Sequence, residues 1–211
     1  MAASTTKIPT KQNPPLEDSK PANRPSRRHE ILAAAVDLLA VQPLDQIAVS
    51  DIASQASMTP AAFYYHFSSK DEILDEIVAD FAKEWAACVT ALMEKLTTQA
   101  GFHDLVDGVL NWVDGREKVA TVYFVTSIGA TSNAEILRKK ARDALSRRAG
   151  KALTRVNPAM DKIRIAVGGV GLITLLEVCA RSRLELDPSY RTLGPMRFRA
   201  STASLAQYLI Q

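Results

Sequence analysis

Little in this chain is equipped for bond-making chemistry. The three histidines, His29, His66 and His103, stand far apart, and no histidine pair brackets a glutamate at metal-ligand spacing. No Cys-x-x-Cys and no glycine-rich phosphate loop is present. Gly169-Val170-Gly171-Leu172 lies inside a helical pattern and follows no strand, so it is not a dinucleotide loop. His103-Asp104 lacks a nucleophile to activate. An enzyme is not expected, nor a metal site, nor a cofactor. The chain does have a run of groups suited to touching nucleic acid: Thr59, Pro60, Ala61, Ala62, Tyr64, Tyr65 and His66.

Two short helices must position that run. One spans 49–56. After the connector Ser57-Met58, the other spans 59–66. Thr59 can cap it by accepting an otherwise unpaired backbone N–H, and Pro60 fits the first helical position, where no N–H is required. Two helices joined by so short a turn form a helix-turn-helix, whose second helix can enter a major groove about 12 Å wide. With Phe63 and Phe67 turned to the core, Ala61, Ala62, Tyr64, Tyr65 and His66 face outward. The two alanines let the backbone come close and offer methyl groups to thymine. Ser50 and the amides opening the first of these helices would hold a phosphate, and Lys70 another. No Arg, Lys, Gln or Asn lies between Thr59 and His66. Much of the specificity is therefore expected from DNA shape and half-site spacing.

Asp51-Ile52-Ala53, Met58-Thr59, Phe63-Tyr64-Tyr65-His66-Phe67 and Ser69-Lys70-Asp71-Glu72 follow one another in an order and spacing that resembles the DNA-binding domain of TetR-type (TetR/AcrR) transcriptional regulators. The resemblance covers about 28–77. Ala48 stands where the family often has threonine, Ser57 where it often has glycine, and Gln42-Pro43 where a glycine is usual. The resemblance implies an all-α fold, with an N-terminal three-helix DNA-binding domain and a helical ligand-binding and dimerisation domain. It also implies that the aromatic and histidine positions meet phosphates or base edges. The partners it implies are an inverted-repeat DNA operator, a small-molecule effector and a second copy of the chain.

Composition agrees with such a protein without demanding it. Hydrophobic residues make up 47% and charged residues 23%, an ordinary globular balance. The net charge is only +3, so the expectation of DNA binding rests on the motif. No stretch reaches the 18 or so apolar residues of a membrane span, no signal-peptide core opens the chain, and Cys88 and Cys179 suit a reducing compartment. The expected location is cytoplasmic, with no membrane partner. Residues 1–25 hold five of the ten prolines and are expected to be a disordered tail. Its Lys7, Lys11, Lys20 and Arg24 could reach a minor groove. Residues 26–70 read as the DNA-binding domain and 71–211 as the larger one, in about nine helices with no strand.

The larger domain opens on a long helix, 69–97, with Ser69 and Glu72 as a capping box and an apolar stripe of Ile73, Ile77, Phe81, Trp85, Cys88, Leu92 and Leu96. Helices over 102–115, 116–130, 133–156 (capping box Ser132 and Glu135), 160–183 and 192–210 follow, with Asp187-Pro188 as a loop. The 163–178 segment is apolar nearly all round and must be buried all round. In so small a domain that suggests a second subunit. The family resemblance implies pairing through the last two helices, with Val167, Gly168, Gly171, Leu175, Leu205 and Tyr208 at the interface. Trp85, Cys88, Leu92, Trp112, Tyr123, Phe124, Ser127, Ile173 and Glu177 are the candidates to line an effector pocket, and they favour a largely hydrophobic ligand. Plain core packing is the competing reading for each. Glu177 can pair with Arg181 or anchor a ligand. The basic run from Arg138 to Arg155 reads as a solvated face, a second DNA surface or a lure for an acidic ligand. A helical adaptor, or a protein that sequesters small molecules without binding DNA, remains the alternative.

Overall fold

The computed structural model describes residues 27–210, all helices and connections. The expected tail, with its four basic residues, lies outside them. Nine α-helices and no strand are present among the described residues. They are α1 Arg28–Leu39, α2 Val49–Gln55, α3 Pro60–His66, α4 Lys70–Glu94, α5 Gly101–Asp114, α6 Glu117–Thr121, α7 Ser132–Val156, α8 Lys162–Glu185 and α9 Pro188–Tyr208. A 3₁₀ turn, Leu44–Gln46, precedes α2, and a π turn, Val122–Thr126, prolongs α6.

The first three helices close around Ile31, Ala35, Leu39, Ile47, Ile52, Phe63 and Phe67, all buried. The turn between α2 and α3 is fixed by a Schellman motif: Met58 N donates to Ala53 O at 2.8 Å and Ser57 N to Ser54 O at 2.9 Å. That motif requires a left-handed residue, and Ser57 takes it at φ 53°. The position where the family often has glycine keeps the glycine conformation without the glycine.

α4 runs from this unit into the rest of the molecule, and the buried core is continuous along it. Its buried stripe is Ile73, Ile77, Phe81, Trp85, Val89 and Met93. The expected Cys88 and Leu92 are only half-buried, because the stripe continues in four-residue steps after Trp85. Ser69 caps α4 as expected, accepting from Glu72 N, but the Glu72 carboxylate reaches back to Ser68 instead. At α7 the cap moves one residue to Thr131, and Glu135 accepts from Gly129 N. α9 begins earlier than expected. Leu186 turns left-handed to end α8, Asp187 caps α9 through Tyr190 N at 2.8 Å, and Pro188 takes the first helical position. The expected loop is thus a cap, and the break falls at Gly194-Pro195, where Gly194 has φ 71° and the helix kinks.

α7 and α8 pack with their backbones close. A Cβ on Gly169 would stand 2.4 Å from Ser146 O and 2.9 Å from Gly150 N. The glycines of α8 thus serve close approach, as expected, but within one chain. A Cβ on Gly168 would meet Leu153, and one on Gly171 would meet Leu209. α8 is also not buried all round. Ile163, Val167, Val170 and Val178 are exposed along one face. By length and composition α8 is apolar enough to cross a membrane, against the expectation that no stretch would be, and 39% of its most apolar window is buried in the fold.

Candidate DNA-binding face and effector cavity

α3 stands clear of the body because its spacing divides it cleanly. Phe63 and Phe67 are buried, while Tyr64 and Tyr65 are 58% and 85% exposed. Phe63 braces the outer residues, its ring 5.4 Å from that of Tyr64 at 80°, and Tyr65 and His66 meet edge to face at 5.1 Å. Thr59 Oγ1 accepts from Ala62 N at 3.2 Å, fulfilling the cap. Thr59, Pro60, Ala61 and Ser50 are exposed, and Ala62 and His66 half-buried. The outward side carries three hydrogen-bonding aromatic tips and two small residues, on a helix held by its own buried pair.

Two features of this unit differ from expectation. The start of α2 already holds an anion, since the Asp51 carboxylate accepts from Ala48 N at 2.8 Å. Lys70 does not point out as a free phosphate contact. Its Nζ donates to Leu44 O at 2.7 Å and Ile47 O at 2.8 Å, tying the turn before α2 to the start of α4.

Three contacts fasten this unit to the larger part. Arg28 pairs with Glu76 of α4 and lies 4.2 Å over the Phe67 ring. Lys118 of α6 reaches Asp37 of α1 at 2.7 Å, and Thr126 of the π turn donates to Leu39 O at 2.6 Å. Within the larger part, Asp75 of α4 accepts from Thr131 and Asn133 at the start of α7.

A cavity of about 250 Å³ lies between the π turn, α7 and α8. Tyr123, Phe124, Ile128, Arg138, Arg142, Thr174, Glu177, Val178 and Arg181 line it. Of the residues expected to line a pocket, only Tyr123, Phe124 and Glu177 do so. Trp85 and Trp112 are packed with Phe81, Tyr123 and Phe124 into one aromatic cluster, ring centroids 4.7 to 5.9 Å apart. The competing core reading holds for that pair. Leu92 packs where Gly108 leaves room, and Cys88, Ile173 and Ser127 stand away from the cavity. The lining is mostly apolar in surface, as expected, and sets four charged side chains, Arg138, Arg142, Glu177 and Arg181, into it.

Arg138, within the basic run, is 3% exposed and so is not part of a solvated face. Its Nε donates to Tyr123 O at 3.0 Å, its terminal nitrogens to Glu135 and to Ser127 Oγ, and Ser127 Oγ donates to Val122 O at 2.6 Å. A π turn shifts backbone bonding by one residue, and Arg138 and Ser127 satisfy carbonyls within it. Glu177 pairs with Arg142 at 2.7 Å, on the neighbouring helix, while Arg181 pairs with Glu185. Burial lifts the Glu177 carboxyl above the usual carboxylate range, with Arg142 and Arg138 opposing. Burial likewise raises the Tyr123 hydroxyl, with Glu177 adding to the rise.

The fold and the exposed α3 define the class first: an all-helical protein built on an N-terminal helix-turn-helix. Residues 31–77 match the family described as bacterial regulatory proteins, tetR family. Over those residues the chain carries a DNA-binding domain of the TetR type. It is 31% identical over 120 residues to the nucleoid occlusion factor SlmA of Marinobacter nauticus, covering 56% of this chain and 60% of the relative. It is 33% identical over 85 residues to the HTH-type transcriptional repressor KstR2 of Mycolicibacterium smegmatis, covering 36% and 41%. The chain thus spans less than two thirds of either relative's length. In fold it is similar to the Bacillus subtilis transcriptional regulator FadR solved in complex with stearoyl-CoA, with a TM-score of 0.65 at 15% identity over 87% of this chain and 97% of that one.

Proposed function

We propose that the protein is a transcriptional repressor that binds an inverted-repeat DNA operator as a dimer in the cytoplasm and is released by a small effector. The observation that carries this reading is α3: an exposed aromatic face on a helix anchored by Phe63 and Phe67, within a domain that matches the tetR family. Similarity to a relative named as a transcriptional repressor supports it. Two copies of α3 would enter major grooves about one DNA turn, ~34–36 Å, apart or somewhat more.

The exposed stripe of α8, with Met196, Leu205 and Tyr208 of α9, is the surface for the second copy. Of the expected interface residues, Val167, Leu205 and Tyr208 lie on it. Gly168 is buried within the chain, and Gly171 and Leu175 are partly so.

The route from effector to DNA runs through the π turn. Tyr123 and Phe124 face the cavity, and Thr126, on the same turn, holds the end of α1. A ligand that disturbs Arg138 disturbs the turn, and with it the seat of α1 and α4. It shifts the equilibrium only by its preference for the non-binding arrangement, typically ~1–3 kcal/mol.

Selection of bound DNA from a random pool tests the reading, and a two-fold repeated site is the expected result. Tyr65→Ala should then weaken operator binding by about tenfold or more, roughly the 1–3 kcal/mol of one good base-edge or stacking contact, with an unchanged melting temperature. Recovery of no DNA, or wild-type affinity in that variant, would sink it. Similarity to a relative named as a nucleoid occlusion factor favours one second reading, that the protein acts in nucleoid occlusion, and a reporter gene behind the selected site that the protein leaves unrepressed decides for it.

A further inference from the structure

Resting on the reading of the α7–α8 cavity as the effector site, we infer the chemical class of the effector: a small organic anion, its carboxylate on Arg142 and Arg138 and its apolar body against Tyr123 and Phe124.

The polar lining is dominated by donors. Arg142, at the half-exposed mouth, spends its Nε–H on Glu177, and its terminal N–H groups have no partner among the described residues. Arg138 is held on three sides by Tyr123 O, Ser127 and Glu135, so its guanidinium is fixed before any ligand arrives. Arg181 completes a lining of three guanidinium groups and one carboxylate. Glu135 and Glu185 balance Arg138 and Arg181, but neither lines the cavity.

Any ligand that fills this space strips water from those N–H groups. A hydrocarbon returns nothing for that loss, and a neutral amide returns one acceptor. A carboxylate returns two, in charge-assisted bonds roughly twice as strong as neutral ones. A cation would have to displace Arg142 from Glu177 and sit among three guanidinium groups. A carboxylate instead takes the terminal N–H groups of Arg142 and leaves its Nε–H on Glu177. Thr174 and the Tyr123 hydroxyl offer the remaining polar contacts. The volume of about 250 Å³ falls below the roughly 300–1,000 Å³ of drug-sized sites, which limits the body to a single ring or a short chain.

Calorimetry on the full chain without DNA tests the assignment with matched sets: benzoate, benzamide and benzylamine, then octanoate, octanamide and octylamine. A carboxylate should bind at least about tenfold more tightly than its amide, and the amines should not bind. Arg142→Gln should remove that preference. Arg147→Gln, on the same helix but outside the cavity, should keep it, and melting curves establish that both variants fold. The inference is overturned if no member of either set binds, if an amide or amine matches its carboxylate, or if Arg142→Gln keeps the preference. Operator release, followed separately by fluorescence anisotropy, tells the two readings apart. A carboxylate that binds but releases no DNA sinks the effector reading and leaves the anion site standing. Release by an uncharged compound competing for the cavity sinks the anion class and leaves the effector reading standing.

Discussion

Lys70 donates two charge-assisted hydrogen bonds into carbonyls that precede α2, so its loss acts on the folded unit before it acts on DNA. Each such bond is worth about 1.5–3 kcal/mol when well shielded, and half-exposure of Lys70 trims the pair. Lys70→Ala should therefore cost about 2 kcal/mol in urea unfolding as well as weakening operator binding. Intact stability with lost affinity would return Lys70 to the role of a phosphate contact. Glu177 gives a prediction of opposite character. Its folded carboxyl titrates above the unfolded one, because burial outweighs Arg142 and Arg138 from α7. A raised acid contributes stability that is fully present below the unfolded pKa and is lost as pH rises through the folded one. The melting temperature of the wild type relative to Glu177→Gln should accordingly fall as pH rises from about 4 toward neutrality, the range opened by lifting a carboxyl above its usual value. A difference that is flat or grows with pH contradicts the assignment. Neither residue's partner could be read in sequence: Lys70 bonds to backbone 23 and 26 residues away, and Glu177 chose Arg142, 35 residues back, over Arg181 on its own helix.

At the scale of elements, what was local was legible. Thr59 and Ser69 cap the helices they were expected to cap, Pro60 begins α3, and the Phe63–Phe67 spacing orients it. Each of these is decided within about four residues. The break in α9 and the π turn were not legible, since helical periodicity continues through both. The cavity was half legible for a related reason. Aromatic residues announce burial but not whether they pack on one another or on a void, and Arg138 lies in a basic run that looks solvated until the π turn is folded over it. The α7–α8 crossing turns the glycine pattern into a test. A Cβ at Gly169 meets backbone, which cannot yield, whereas one at Gly171 meets only the Leu209 side chain at 3.2 Å. Gly169→Ala should cost about 3 kcal/mol or more, and Gly171→Ala about 1 kcal/mol or less, since overpacking against rigid atoms is the expensive kind. Equal effects in thermal unfolding would mean that the close crossing is not what the glycine serves.

For the whole molecule, the unresolved demand is the outer face of α8. Ile163, Val167, Val170, Thr174 and Val178 recur at steps of three and four, one side of a helix, and all are exposed in the single chain. Met196, Leu205 and Tyr208 add exposed apolar surface on α9. Isolated exposed apolar residues need no explanation, but a continuous stripe on a helix apolar enough for a membrane does. A second copy offers the same stripe by symmetry, and it would also lie across Thr174 and Val178, which line the cavity. A charge at the centre of such an interface has no partner and must be desolvated, which costs several kcal/mol per ion. Val167 is 66% exposed in one chain, so Val167→Glu disturbs nothing inside it. The variant should keep its helical circular dichroism while its dimer dissociation constant rises by about a hundredfold or more, ~2.7 kcal/mol, in sedimentation equilibrium. Operator binding should fall with it, because one α3 alone cannot span two half-sites. A dimer of undiminished strength would place the subunit contact elsewhere, and binding of both wild type and variant to lipid vesicles would assign the stripe to a bilayer surface.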